Sequence, residues 1–580
     1  MPKTEQQATV GWEQTDWRKL ERVVFKLQKR IYQASQRGDV KAVRKLQKTL
    51  MKSWSARMLA VRRVTQDNRG KKTAGVDGVK SLTSKQRLEL VKQLRRVNNR
   101  KAKPVRRVWI DKPGRTEKRP LGIPTMDDRA AQALAKAALE PEWEAKFEPN
   151  SYGFRPGRSC HDAIEAIFQT INQKPKWVLD ADIAKCFDRI SHEALLNKLN
   201  TFPTMRRLIK SWLKAGVVDW NAYANRQKSY SPTSEGTPQG GVISPLLANI
   251  ALHGLENRLK QFAGTLPGRD GFGKRDNMKQ LSVIRYADDF VILHPDKSVV
   301  QRCQQITAEW LKDMGLELKP EKTRLSHTLN PTEEGNVGFN FLGFTIKQFK
   351  VGKYVSKQGF KTIITPSKEA VKSHLKRVGS IIQQHKTAPK QALIARLNPV
   401  IRGWSNYQRG QCSKETFQYC DYITYQQLRG WAVNRHNGKQ RRTKVGKEWK
   451  RIGNRNWVFS TNDKKFSLIN HSDTKVVRHT KVNGVKSPYD GDWVYWSARK
   501  GDYPGVKKKV TELIKQQSGK CYHCGHHFSP DSLAEIHHKD GSHKNNKRDN
   551  LALVHGHCHD IIHANRELST MEDWIDDHPF

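Results

Sequence analysis

Two adjacent carboxylates, Asp288 and Asp289, stand between the apolar runs Leu281-Ser282-Val283-Ile284 and Phe290-Val291-Ile292-Leu293. The tetrad Tyr286-Ala287-Asp288-Asp289 constrains the chain more than any other stretch. Short β-branched runs on either side of it predict a hairpin with the two aspartates at its tip. Like charges side by side between buried strands are costly unless a cation neutralises them. Hard oxygen ligands that hold a divalent ion against phosphate suit Mg²⁺. The competing reading is an ordinary solvated acidic turn.

The charge balance narrows the partners. Against 56 Asp and Glu the chain carries 106 Lys and Arg, a net charge of +50, which implies a polyanion, with nucleic acid as the default. Its 580 residues leave room for three or more domains. No run of eighteen apolar residues occurs, and Met1 to Gln7 is hydrophilic. The expectation is therefore a soluble chain with no membrane association and no signal peptide, cytoplasmic or in an organelle matrix. Cys160, Cys186, Cys303, Cys412 and Cys420 are scattered, whereas Cys521, Cys524 and Cys558 cluster, a pattern of a reducing compartment and a metal rather than disulfides.

Residues 12–60 are predicted helical. Trp17, Leu20, Val24, Leu27 and Ile31 recur at steps of three and four, Gly38-Asp39 ends one helix and caps the next, and Val40, Val43, Leu46, Leu50 and Trp54 line the second. The basic outer faces fit either solvent or RNA. Val105 to Ile110 and the stretch ending Arg119-Pro120-Leu121-Gly122-Ile123-Pro124 predict a basic hairpin around a turn at Lys112-Pro113-Gly114. Residues 366–440 read as helical. Residues 440–510 read as basic and irregular, with short strands around Trp457-Val458-Phe459 and Trp493-Val494-Tyr495-Trp496.

Two further segments suit the acidic turn. Val178 to Asp188 reads as a strand ending at Asp182, which can set a second carboxylate beside Asp288. Gly236-Thr237-Pro238-Gln239-Gly240-Gly241 is a glycine-rich loop before a helix start, which permits close backbone approach to a template or nucleotide. In this order the segments resemble a reverse transcriptase. The resemblance implies that Asp182 and Asp288 bind catalytic Mg²⁺ with Asp289 in support. It further implies that Phe187 rejects a ribose 2′-hydroxyl, that Gln239 grips template and primer, and that Lys112 and Arg119 lie near the incoming dNTP triphosphate. Lys322 resembles a later palm motif, and Phe341-Leu342-Gly343-Phe344 the primer-grip hairpin. Thr73 to Gly78, Ser151 to Ser159 and Leu397 to Tyr407 resemble group II intron-encoded proteins more narrowly, the last segment matching their maturase thumb, domain X. The thumb aromatics Trp404, Tyr407, Tyr419, Tyr422, Tyr425 and Trp431 fit either a core or base-stacking platforms.

Cys521-x-x-Cys524 and His555-x-x-Cys558 have the spacing of a closed tetrahedral Zn²⁺ site, with His557 as a competitor for His555. His537-His538, Asn550 and His559-x-x-x-His563 resemble an HNH endonuclease with its ββα-metal hairpin. By that resemblance His538 is the general base, Asn550 braces the hairpin, and His537, His559 and His563 hold a divalent ion such as Mg²⁺. Extra zinc ligation is the alternative for this His-rich tail, and the sequence leaves open which histidines take the ion.

The expected architecture is multidomain α+β. Residues 1–60 would be a basic helical extension, 61–350 the right-hand fingers and palm, 351–440 the α-helical thumb, 441–510 a DNA-binding segment and 511–580 the nuclease with its structural zinc. The expected function is that of a group II intron-encoded reverse transcriptase, maturase and site-specific endonuclease. Its partners would be intron RNA, target DNA and dNTPs, with monomer and dimer both open. The alternatives are a splicing cofactor with degenerate enzyme sites and a retron- or defence-type reverse transcriptase.

Overall fold

The computed structural model describes residues 11–99, 101–111, 118–220, 228–268, 273–333, 335–436, 441–502, 506–530 and 532–563. Lys112 and the turn Lys112-Pro113-Gly114 lie outside the described residues. The N-terminal pattern folds into three helices rather than two, Trp17–Gln36, Val40–Lys52 and Trp54–Arg62. Asp39 caps the second as expected, accepting from the Ala42 amide at 2.9 Å, but Ser53 turns extended and caps a third helix. Val40, at the helix start, is 52% exposed instead of lining the core.

These helices have no core of their own. They wrap the long helix Met126–Glu144, and Ile31, Leu50 and Val61 share one continuous core with Leu134, Leu139, Phe290 and Ile292. The basic hairpin forms as predicted, Val105–Asp111 antiparallel to Lys118–Ile123, and Val217–Trp220 adds to it in parallel. The central sheet is antiparallel throughout, in the spatial order Ser282–Tyr286, Asp289–His294, Trp177–Asp182, Arg324–His327. Buried on both faces, its strands read as apolar runs rather than alternating ones.

A smaller sheet follows. Phe339–Phe341 and Phe344–Lys350 pair across a turn at Leu342-Gly343, as the expected hairpin, and Phe360–Pro366 joins them. Three helices come next, Lys368–Gln384, Lys390–Gln408 and Lys414–Arg435. In this bundle Trp431 is buried, whereas Tyr419 and Tyr422 stay exposed, so the aromatic stripe divides between core and surface.

Residues 441–502 build no separate core among the described residues. The hairpin Trp449–Ile452/Arg455–Phe459 contributes Trp449 and Phe459 to the helical bundle, while Val482 and Trp496 pack into the back of the central sheet. The expected strand around Trp493–Trp496 is instead the start of a helix, Trp493–Asp502. Asp492 accepts from the Tyr495 amide at 3.1 Å and caps it. Aromatic and β-branched residues in a row imitate a strand, but the burial is helical: Trp496 is buried against Gly157 while Val494 is 69% exposed. Among the described residues no helix is long and apolar enough to cross a membrane.

Candidate active site and metal centres

Antiparallel register sets Asp182 directly across from Asp289, and Asp289 across from Tyr286 on its other side. Facing residues of a ladder share one face of the sheet, with Cβ atoms about 4.5–5.5 Å apart. Ala287 and Asp288 form the two-residue turn between the strands, with Ala287 at φ +59°. Left-handed backbone costs a residue with a Cβ about 1–2 kcal/mol, so the turn must be held from outside. Buried Arg285 does part of this, donating to the Ala287 carbonyl at 3.1 Å, to Asn249 Oδ1 at 3.2 Å and to Ser151 Oγ at 2.7 Å.

The segment Ser151–Ser159 does the rest. Tyr152 donates its amide to the Arg285 carbonyl at 2.9 Å, and Arg285 returns one to Asn150 at the same distance. Gly153 then runs so close that a Cβ there would lie 2.3 Å from the Ala287 nitrogen, so only glycine fits. The motif is a backbone cradle for the acidic turn.

The electrostatics favour a cation. Burial pushes Asp289 up to about 7, with Asp288 and Asp182 adding to the effect, and burial raises Asp288 as well. Lys322 Nζ sits on Asp182 Oδ2 and is the nearest compensating charge. Asp180, which the sequence reading gave no role, is pushed up to about 7, first by burial and then by Asp182. Alternate residues of a strand share a face, so the spacing Asp180-x-Asp182 already carried that signal. Lys322 pairs with Asp182 while Arg119 and Arg324 act at longer range, and burial still raises Asp180, Asp288 and Asp289, a cluster suited to divalent ions.

Around the carboxylates the other expected residues take distinct places. Phe187 lies on the short helix Cys186–Arg189 that follows the Asp182 strand, half-buried, with Phe154 edge-on at 5.8 Å. The glycine-rich loop crosses beneath it, and the Thr237 amide donates to the Phe187 carbonyl at 2.6 Å. The same loop reaches the basic hairpin, where the Gly122 amide donates to the Gln239 carbonyl at 2.6 Å. Gly240, at φ +118°, has no space for a Cβ against the Gly122 oxygen. Gln239 Nε2 stands 3.5 Å from Asp188 Oδ2. Arg119, exposed on the second strand of that hairpin, lies near enough for its charge to favour ionised Asp288.

The C-terminal module is an antiparallel hairpin, Ala534–His538 with Leu551–His555, followed by helical residues 556–563. One ligand atom each from Cys521, Cys524, His555 and Cys558 falls within 4.8 Å of the others. The His555 amide donates to Cys521 Sγ at 3.4 Å, and Cys524 and Cys558 hold the Cys521 thiol far below its ordinary range. Soft donors converging in this way fit Zn²⁺. His555, rather than His557, falls within the set. His557 stacks on His555 and points its Nε2 toward Glu21 Oε1 at 3.9 Å.

His537, His559 and His563 form a second convergent group on the other side of the hairpin. The His559 and His563 Nε2 atoms lie 3.2 Å apart, while His559 Nδ1 is 3.1 Å from Glu535 Oε2. A carboxylate on the outer nitrogen of a histidine is the usual orienting contact for a metal ligand. His538, next to this group, has both ring nitrogens buried without a hydrogen-bond partner among the described residues. Asn550 clasps the intervening loop, exchanging bonds with the Asp540 amide at 3.0 Å and Asp540 Oδ1 at 2.8 Å.

The sequence carried no sign of how this module is seated. Glu21, on the first helix, bonds Arg62 at 2.6 Å and faces His526 at 3.4 Å. Burial would raise its carboxyl, but His526, Arg62 and His557 outweigh it and hold Glu21 well below the carboxylate range.

Three family models match the chain: N-terminal domain of reverse transcriptase over residues 12–94, reverse transcriptase (RNA-dependent DNA polymerase) over 110–346, and the group II intron maturase-specific domain over 371–449. The group II intron-encoded protein LtrA of Lactococcus lactis subsp. cremoris is 30% identical over 345 residues, 49% of this chain and 54% of its own. Protein YkfC of Escherichia coli (strain K12) is 31% identical over 313 residues, 48% of this chain and 77% of its own. A 91 kDa protein in the cob intron of Schizosaccharomyces pombe is 28% identical over 366 residues, 52% of this chain and 43% of its own. The chain thus spans about half the length of LtrA.

Proposed function

This chain belongs to the group II intron reverse transcriptase/maturase family, and from that premise we propose that it copies RNA into DNA, assists splicing of its intron RNA, and nicks the target DNA whose 3′-end primes the copy. The observation that carries the polymerase reading is the register of Asp182 against Asp289 with Asp288 in the adjoining turn. These three carboxylates would hold Mg²⁺. Bound there, the ions would make the primer 3′-hydroxyl a better nucleophile and stabilise the leaving pyrophosphate.

The remaining work falls to the chain's own side chains. Lys322 pairs with Asp182, and Arg119 would supply a cation for an incoming triphosphate. The Phe187 ring would clash with a ribose 2′-hydroxyl, which selects dNTPs sterically. Gln239, on the loop joining that ring to the basic hairpin, would grip template and primer. Exposed Tyr419 and Tyr422, with the basic faces of the thumb and the N-terminal helices, provide surface for intron RNA.

For nicking, His538, whose two ring nitrogens have no hydrogen-bond partner among the described residues, would take a proton from water. His537, His559 and His563 would hold a divalent ion that stabilises the leaving 3′-oxygen. Zn²⁺ on Cys521, Cys524, His555 and Cys558 would be structural. Basic residues between 441 and 502, among them Lys447, Lys450, Arg451 and Arg455, would contact target-DNA phosphate.

The test is primer extension and target nicking by purified protein with its intron RNA. Asp288→Ala should abolish extension and leave nicking, and His538→Ala should do the reverse. Full cDNA synthesis by Asp288→Ala would sink the polymerase assignment, and full nicking by His538→Ala the nuclease one.

A further inference from the structure

Phe154 is a large apolar side chain left 45% exposed, on backbone at φ +59°. A bulky residue adopts that left-handed conformation only where its surroundings impose it. The constraint is visible on both sides. Gly153 is pressed against the acidic turn and accepts from Asn249 Nδ2 at 2.8 Å. Arg155 is buried on Glu144, with Nε and Nη2 each 2.9 Å from a carboxylate oxygen, and its Nη1 donates to the Glu148 and Ser151 carbonyls. With its neighbours fixed, the Phe154 ring is turned outward toward the active-site face. There it meets Phe187 edge-to-face, centroids 5.8 Å apart and planes at 82°.

A ring serving only the core would be buried, and this one is not. The Phe187 backbone is fixed by the Thr237 bond and its half-exposed ring rests on the central core, with Phe154 as its aromatic neighbour edge-on. We propose that Phe154 is a positioning residue for sugar selection: its ring buttresses Phe187 and keeps that ring from swinging away from the ribose 2′-position. The inference rests on the reading of Phe187 as the steric selector and adds a residue that acts through it.

The experiment compares kcat/KM for dATP and ATP opposite a templating uridine, using the full chain with its intron RNA. Phe154→Ala should raise ATP use relative to dATP by about tenfold, the upper range for one edge-to-face ring contact. Phe154→Asn, which tolerates left-handed backbone but lacks the ring, should do the same, whereas Phe154→Tyr should retain selection. Phe187→Ala should relax selection further, and Phe154→Ala added to it should change nothing more. If Phe154→Ala slows both nucleotides equally while Phe187→Ala relaxes selection, the buttress is wrong and the selector stands. If Phe187→Ala leaves the ratio unchanged, the selector reading falls and this inference with it.

Discussion

The palm and the C-terminal module both gather side chains that could ligate a metal, but they do so from opposite starting points. Asp182 and Asp288 are 106 residues apart in the chain and meet because one antiparallel sheet carries both. The module draws its ligands from Cys521 to His563, a span of 43 residues, and buries only a small cluster around Leu513, Phe528 and Leu553. The palm sheet is packed on both faces by larger clusters. Its packing rests on those clusters, and only the chemistry proposed for it would need an ion. The module buries a much smaller core, so a structural metal at its Cys/His group would weigh more in its fold.

Zinc removal should separate the two regions most sharply. A structural Zn²⁺ site contributes about 10–16 kcal/mol in zinc-finger peptides, so Cys524→Ser or chelation should expose residues 520–558 to protease and amide exchange. Nicking should vanish while extension from an annealed primer persists. Joint loss of both activities would show that the module and the palm are one cooperative unit.

Next in size is the reciprocal experiment. Asp288→Ala should lower extension by about 10³-fold or more, the effect of losing several kcal/mol of transition-state stabilisation. Its melting temperature should not fall, because the sheet does not rely on that carboxylate. A large loss of thermal stability would break the contrast with the module.

A smaller effect separates the pH behaviours. Asp289 has a folded pKa raised from 3.8 to about 7, so its contribution to stability is present below pH 4 and lost as pH rises through 7. Without divalent ions, Asp289→Asn should therefore melt higher than the parent at pH 8 and equally at pH 4. Added Mg²⁺ should stabilise the parent more at pH 8 than at pH 6, which differential scanning calorimetry would register.

The smallest expected change concerns how the two regions touch. Glu21→Gln removes the charge shared by Arg62, His526 and His557 and should loosen the seating of the module by about 1 kcal/mol, given a partly exposed pair. Faster amide exchange at His526 and His557 with unchanged exchange in the central sheet is the expected pattern. Equal exchange throughout would mean that apolar contacts alone seat the module.

Much of this was legible in the sequence because the governing interactions are local. The hairpin around Asp288, the strand ending at Asp182, the cap at Asp39 and the pairs Cys521-x-x-Cys524 and His559-x-x-x-His563 each follow from periodicity, turn chemistry or ligand spacing, although Asp289, expected at the hairpin tip, opens the second strand instead. The failures are equally local. Trp493–Trp496 imitates a strand by composition, yet one cap at Asp492 and one buried contact for Trp496 make it a helix. The N-terminal pattern ran on through Ser53, whose side chain had a third helix to cap.

What the sequence determined by itself was which residues are candidate ligands and which segments carry them, since spacing of a few residues fixes which side chains share a face or a turn. Only the tertiary structure decided the rest. It chose His555 over His557, set Asp182 against Asp289, brought Phe154 to Phe187, and seated the C-terminal module on Glu21. The physical reason is that each of these depends on a sheet register or a packed surface between distant segments, and no local propensity encodes either.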